Sequence, residues 1–342
     1  MTVKSMILEN ISLKKYNTFG VDITAKCFLE IKCEEQLREV LLQNDKPKFV
    51  LGGGSNILFT KNLDRLVLRI SNKGKKILKE DRDSILVKVE SGEIWSDFVV
   101  WCINNDLGGL ENLSSIPGNV GSAPIQNIGA YGVEVKNYIE NLEAIEIATG
   151  KKKVFSNTEC EFGYRDSIFK QRAKNNYVII SVTFKLTKKS HTIKSSYGDI
   201  KCELQNKKIE NPSIKDISEI VTAIRKRKLP DPLKIGNGGS FFKNATIPKS
   251  HFNHLKESYP KIPNYPDDNN NLVKISSAWL IEQCGFKGHR IGDAGVSCNQ
   301  ALILVNYGNA SGGEILSLAN DIRQSVQTKF NINLETEVNI IT

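Results

Sequence analysis

Two glycine-rich segments carry the chain's first chemical signal. One is Val50-Leu51-Gly52-Gly53-Gly54-Ser55-Asn56-Ile57-Leu58-Phe59. Consecutive glycines leave backbone N–H groups unshielded, and a concave turn of such groups can hold a pyrophosphate. The run is not a Rossmann fingerprint, because Ile57 stands where the third glycine belongs and an apolar, strand-like stretch follows in place of a helix. It is not a Walker A loop either, since no Gly-Lys-Ser/Thr appears. Taken alone, such a run is more often just a tight turn.

The other segment covers residues 116–132, with four glycines, two prolines and no charged side chain. Small side chains let backbone approach a flat ligand closely, and proline fixes the loop's shape. That suits an isoalloxazine ring and its phosphates; a buried irregular loop of this length is otherwise uncommon. A serine-hydrolase Gly-x-Ser-x-Gly is absent. His191, His251, His254 and His289 offer no matched partner, and the pair three apart does not make a metal site, so no metal is expected.

At 342 residues, with 40% apolar and 25% charged side chains, the chain reads as a soluble globular protein able to bury a large core. No stretch approaches the roughly 18 unbroken apolar residues of a spanning helix, and residues 1–15 lack a signal-peptide core. Seven scattered cysteines without a CxxC pair fit a reducing cytoplasm. Lys and Arg outnumber Asp and Glu 47 to 38, but the basic runs are short (151–153, 188–189, 225–228). Neither a nucleic-acid nor a membrane partner is therefore expected. A field of that sign would favour an anionic small substrate.

The elements that must position these segments alternate along the chain without repeats. The patterning predicts a helix over 34–42, a strand over 48–51 running into the glycines, a strand over 85–90 and a helix over 95–103. Further strands are predicted over 142–148 and 177–186. One amphipathic helix carries Ile214, Ile217, Ile220, Val221 and Ile224 on a single stripe and is stopped by Pro230 and Pro232. A second buries Ile315, Leu318, Ala319, Ile322 and Val326. From Phe330 to Asn339 apolar and polar residues alternate, predicting a strand with one polar face. The class is α+β, or mixed α/β, with the domain boundary expected in the polar stretch 187–194, giving parts 1–189 and 190–342.

Further motifs join the glycine segments in a fixed order. They are Asn17-Thr18-Phe19-Gly20, Gly109-Leu110-Glu111-Asn112-Leu113, Phe162-Gly163-Tyr164-Arg165-Asp166-Ser167 and Tyr197-Gly198-Asp199. Lys228-Leu229-Pro230-Asp231-Pro232, Gly236-Asn237-Gly238-Gly239-Ser240-Phe241-Phe242-Lys243-Asn244, Ala278-Trp279-Leu280-Ile281-Glu282-Gln283-Cys284-Gly285 and Leu334-Glu335-Thr336-Glu337-Val338 follow. Spread over 17–338, they make the chain resemble the UDP-N-acetylenolpyruvoylglucosamine reductases (UDP-N-acetylmuramate dehydrogenases) of bacterial cell-wall synthesis. The resemblance implies a two-lobed FAD-binding domain of the vanillyl-alcohol oxidase (PCMH) type and a C-terminal α+β substrate-binding domain.

It also implies a reaction. NADPH would reduce non-covalent FAD, and the flavin would pass hydride to the distal vinyl carbon of UDP-N-acetylglucosamine enolpyruvate. Cofactor contacts fall on Gly52, Gly53, Gly54, Ser55, Asn56, Pro117, Gly118, Gly121, Ser122, Ile125, Gln126, Gly129 and Ala130. Arg165 would stabilise the substrate carboxylate, its planar fork matching two parallel hydrogen bonds. Without the motif it reads as a surface ion pair with Asp166. Ser240 matches the proton donor, a weak acid facing a strongly basic carbanion. Glu337 matches the active-site glutamate, expected to be protonated or tightly hydrogen-bonded so as not to repel the developing charge; the alternation alone would make it a solvent-facing carboxylate.

Tyr164, Lys228, Asn244 and Gln300 fall on substrate-contacting positions. Tyr197 matches a tyrosine of the loop that closes over the diphosphate in one subtype, or is a half-buried strand-end aromatic. Asn339 departs from the arginine often found two residues after the glutamate, which shifts substrate affinity toward the 225–228 cluster. An oxidase of the same fold is disfavoured because many attach FAD through a histidine near the first glycine turn, and none precedes His191. A non-catalytic UDP-sugar or nucleic-acid binder is disfavoured by the matched Arg165, Ser240 and Glu337. The expectation is a cytoplasmic monomer acting on a small molecule.

Overall fold

The computed structural model describes residues 3–43, 46–266 and 269–342. Contacts divide the chain into two compact units: the stretch up to Ile11 with Ala25–Gly53 and Leu63–Arg225, and Ser12–Thr24 with Gly54–Asn62 and Lys226–Thr342. The boundary expected at 189/190 thus falls inside the first unit. Residues beyond it are tied back there: His191 Nδ1 lies 2.6 Å from Thr187 Oγ1, and Asn112 Nδ2 donates to Lys194 O at 2.8 Å. The change of unit comes instead within the helix Ile214–Lys228, after Arg225. Polarity over 187–194 marks a surface connection, not the edge of a core.

Two sheets form the lobes of the first unit. In one, Thr24–Ile31 and Lys48–Leu51 both run parallel to Leu63–Ile70, with Leu8–Ser12 at the edge. Helix Glu34–Gln43 crosses over between them and buries Leu37, Val40 and Leu41 against Leu29, Ile31, Leu66 and Leu68. The other sheet is antiparallel, in the order Lys152–Ser156, Ile139–Glu146, Tyr177–Thr187, Ser84–Glu90, Lys75–Glu80. Helix Trp95–Asn104 packs Trp95 and Phe98 on Phe184, with ring centroids 6.0 and 5.0 Å away. The helix Ile214–Lys228 buries the five predicted positions, each worth roughly 2 kcal/mol. It packs against helix Gly198–Lys207 and Tyr131.

The second unit is built on an antiparallel sheet in the order Gly236–Ser240, Ile303–Asn306, Ala294–Val296, Arg290–Ile291. Helix Gly312–Phe330 covers it, opened by a reciprocal Ser311–Glu314 capping box and closed by Asn331 at φ 53°. The Asn17–Gly20 motif is part of this unit's core. Phe19 is fully buried edge-on to Phe241, and its carbonyl accepts from Asn306 Nδ2 at 2.9 Å.

The strand predicted after Phe330 is not a strand. The alternation of burial holds, with Phe330, Ile332, Leu334 and Val338 inside and Asn331, Asn333 and Glu335 exposed. Phe330 however ends the helix, and regular pairing begins only at Asn339–Ile341, parallel to Ile57–Phe59. Between them the chain is tied to residues 241–243, by a Phe242–Thr336 bridge and by Lys243 N–H to Glu335 O at 2.9 Å. Period-2 burial reports an extended chain on a core; it does not supply a neighbouring strand.

Candidate active site

The two glycine segments meet backbone to backbone. Strand Lys48–Leu51 runs out at Gly52, as predicted. A Cβ placed on Gly53 would stand 2.6 Å from Gly118 Cα and 2.8 Å from Asn119 Oδ1, so only glycine allows this approach. A Cβ on Gly52 would stand 3.1 Å from Ser122 Oγ. Asn119 is itself anchored, its Nδ2 donating to Gly92 O at 3.1 Å, while Ser122 Oγ donates to Asn119 O at 2.9 Å. Pro117 and Gly118 open the loop, Gly121 sits tightly on Ser91, and Gln126 is half-buried. The loop ends in a hairpin of Gly129–Ala130 with Val133–Glu134, whose turn residues Tyr131 and Gly132 both have positive φ.

The loop is bound to the Arg165 motif. Ser167 Oγ donates to Ile125 O at 2.6 Å, and Asn127 Nδ2 to Gly163 O at 2.9 Å. Arg165, at φ 53°, donates from Nη2 to Gly129 O at 2.7 Å and lies 5.5 Å from the Tyr164 ring. Asp166 takes Ser167 N–H and Gln171 Nε2, at 2.9 and 2.8 Å. The guanidinium is thus directed at the glycine loop.

Tyr197 is not a strand end: it caps helix Gly198–Lys207, and its ring stands edge-on to Tyr131 at 5.4 Å. The half-buried Arg225 donates from Nε to Ser115 O at 3.3 Å. Burial holds its pKa below the usual arginine value, Tyr131 opposing and Arg165 adding to that shift. Two cations read in separate motifs therefore share one neighbourhood, which an anion would relieve. Tyr131 was missed in the sequence; its one signal is a tyrosine between small residues of the loop.

In the second unit, Ser240 lies on a bulge. Between Asn237, opposite Val305, and Ser240, opposite Ile303, the strand carries one residue more than its partner, with Gly239 at φ 73°. Such a bulge re-aims the side chain that follows it. Gly238 is fixed by packing, since a Cβ there would stand 2.6 Å from the Phe19 ring. Glu337 is half-buried beside this strand, its N–H donating to Phe241 O at 2.8 Å. Asn56 Nδ2 donates to Glu337 O at 3.1 Å, which joins the end of the glycine turn to the glutamate segment.

Asn244 Oδ1 accepts from Ser277 N at 3.2 Å, and Gln300 Oε1 from Leu302 N at 3.3 Å, leaving each side-chain NH2 to be directed elsewhere. Lys228 is the last, half-buried residue of its helix.

The residues fit an FAD. Gly54 O accepts Thr18 N–H at 3.0 Å, and Asn56 O accepts both donors of Asn339, each at 3.0 Å. Two of the turn's oxygens, Gly54 O and Asn56 O, are thus occupied by protein donors, and its small side chains leave backbone to face a diphosphate. Among the described residues, no group of three His, Cys, Asp or Glu could hold a metal ion, and no helix is long and apolar enough to cross a membrane.

Comparison with known proteins agrees with this geometry. Residues 231–341 match the family model of the UDP-N-acetylenolpyruvoylglucosamine reductase C-terminal domain, and residues 25–156 match that of an FAD binding domain. The chain is 52% identical over 336 residues to the UDP-N-acetylenolpyruvoylglucosamine reductase of Flavobacterium johnsoniae, covering 98% of this chain and 99% of that one. Against the Pseudomonas putida enzyme of the same name it is 43% identical, covering 97% and 98%. The crystal structure of the Thermus caldophilus reductase (MurB) is similar over 98% of both chains, at 25% identity and a TM-score of 0.68. These matches bear out the expected fold class. The chain belongs to the UDP-N-acetylenolpyruvoylglucosamine reductase family of flavin-dependent oxidoreductases.

Proposed function

We propose that the protein reduces UDP-N-acetylglucosamine enolpyruvate to UDP-N-acetylmuramate in peptidoglycan precursor synthesis, with FAD bound non-covalently and NADPH as reductant. The observation that carries the reading is Ser240 on its glycine bulge, one residue from the carbonyl that holds the Glu337 peptide at 2.8 Å. FAD, when bound, would supply the hydride chemistry, with NADPH as the source of the hydride and the distal vinyl carbon as its destination. Gly52, Gly53, Gly54, Ser55 and Asn56 would hold its diphosphate, and the loop from Pro117 to Ala130 its ring.

Arg165 binds the enolpyruvyl carboxylate and stabilises charge building on the carbon beside it. Ser240 Oγ–H gives its proton to that carbon and recovers one from solvent. Glu337, protonated or tightly hydrogen-bonded, stands at the carboxylate without repelling the developing charge. Tyr164, Tyr197, Lys228, Asn244 and Gln300 orient the nucleotide sugar. The FAD-binding and substrate-binding parts correspond to the regions matching the two family models, in a monomer of the cytoplasm.

The test is an anaerobic visible spectrum followed through addition of NADPH and then of the enolpyruvyl substrate. Bleaching by the first and return of the oxidised spectrum with the second is the expected result. A yellow protein that bleaches but never recovers with that substrate would remove the substrate assignment.

A further inference from the structure

The peptide carrying Glu337 is held from both sides. Its N–H is taken by Phe241 O, next to Ser240, and its carbonyl by Asn56 Nδ2. Asn56 is held in turn: its carbonyl accepts from both the backbone N–H and the Nδ2 of Asn339, each at 3.0 Å. From Asn339 the chain runs on parallel to Ile57–Phe59, with Asn339 opposite Ile57. Thr60 N–H and Oγ1 close the far end on Ile341 O, at 3.0 and 3.1 Å.

Before Asn339 this stretch is held on the side of residues 241–243, by Lys243 N–H to Glu335 O at 2.9 Å and Glu337 N–H to Phe241 O at 2.8 Å. Among the described residues its only bridge is Phe242–Thr336. Those bonds fix one side of the segment and the contacts with Asn56 and Asn339 fix the other, and a catalytic carboxyl displaced by about half an ångström is misplaced.

We infer that Asn339 is a positioning residue: acting through Asn56, it locks the register of Glu337 to the cofactor turn. The inference rests on the reading of Glu337 given above. It also gives the departure at 339 a local meaning. The amide is engaged with Asn56 O, so its task is alignment and not the supply of charge to a substrate.

The test compares Asn339→Ala and Asn339→Asp holoenzymes by stopped flow in each half-reaction, with FAD affinity and thermal midpoint measured alongside. Flavin reduction by NADPH and FAD affinity should stay within about twofold of native, while reduction of the enolpyruvyl substrate slows roughly five- to tenfold in Asn339→Ala. Asn339→Asp should be slower still, because it sets a carboxylate against the Asn56 carbonyl. The pH profile of the substrate step should move in both variants.

Native substrate-step rates in both variants would overturn the inference. So would parallel loss of both half-reactions with release of FAD, which would make the contact a structural brace only. Glu337→Ala, which removes the carboxyl altogether, is measured in the same series. If it is as fast as native, the reading of Glu337 falls and takes this inference with it. If it is slow while Asn339→Ala is native, only the inference falls.

Discussion

Gly53→Ala attacks the contact on which the two glycine segments meet. The new Cβ would stand 2.6 Å from Gly118 Cα and 3.0 Å from Gly118 C, where ordinary contact begins at 3.4 Å. The segments must therefore part by about 0.8 Å along the closest contact, and because that contact is with the Gly118 backbone, movement of the Asn119 side chain cannot relieve it. Overpacking of this kind costs about 1–3 kcal/mol. If the strain is relieved by opening the bed, FAD affinity falls roughly five- to 150-fold. Titrating FAD into the apoprotein and following flavin fluorescence reads this directly. Gly313→Ala, whose Cβ would meet only Ser311 Oγ at 3.8 Å, serves as control and should gain up to about 1 kcal/mol of stability. A Gly53→Ala protein with native FAD affinity and native Tm would refute the claim that this contact shapes the cofactor site.

Ser240→Ala should keep flavin reduction by NADPH and lose turnover of the enolpyruvyl substrate; normal turnover in a steady-state assay would take Ser240 out of the mechanism. Arg165→Lys keeps the charge but loses the fork, and kcat/KM should drop at least about tenfold; near-native kinetics would count against a two-pronged carboxylate contact. Glu111 is buried, its carboxylate accepting Gly109 N–H at 2.6 Å, and burial raises its pKa. A raised folded-state pKa favours the protonated form in the fold. That stabilisation is complete below the ordinary carboxylate value of about 4.3 and is lost as pH rises through the folded value. Glu111→Gln cannot ionise, so its Tm should fall less than native between acid and neutral pH. Parallel Tm–pH curves would contradict this.

Local periodicity made most of the scaffold legible. The stripe Ile214, Ile217, Ile220, Val221 and Ile224 is the buried face found in the structure, because a 3.6-residue period has one cause in a soluble helix. The chain after Phe330 misled for the complementary reason. Its period-2 burial is real, but a strand also needs a partner, and partners are set by residues far away in sequence. Polarity over 187–194 likewise could not show that His191 and Lys194 O would be held by Thr187 and Asn112.

At the site, residue types pointed to glycine turns and to a serine after glycines. Which glycines touch protein and which face a ligand was hidden, because glycine looks the same in both uses. Gly238 answers to the Phe19 ring and Gly53 to Gly118. Tyr131 became visible only when the fold set it against Tyr197, while Arg225, read in the sequence as one of a basic run, gained its link to Arg165 from the fold.

The second unit is sewn from distant lengths of chain. It takes Ser12–Thr24 and Gly54–Asn62 from the early part of the sequence and everything else from Lys226 onward. The bond from Asn306 to Phe19 spans 287 residues, and that from Asn56 to Glu337 spans 281. At a synthesis rate of about 5–20 residues per second, those partners emerge roughly 15–60 seconds apart. Leu63–Arg225 can close around its own cores meanwhile. Phe19 and Phe59, fully buried at the end, must wait uncovered on the nascent chain. Those two rings, with Leu13, Val21, Ile23 and Leu58 of the same segments, are apolar surface that a half-made molecule leaves open, and any slowing of synthesis before residue 226 would lengthen that exposure without changing a single contact in the finished protein.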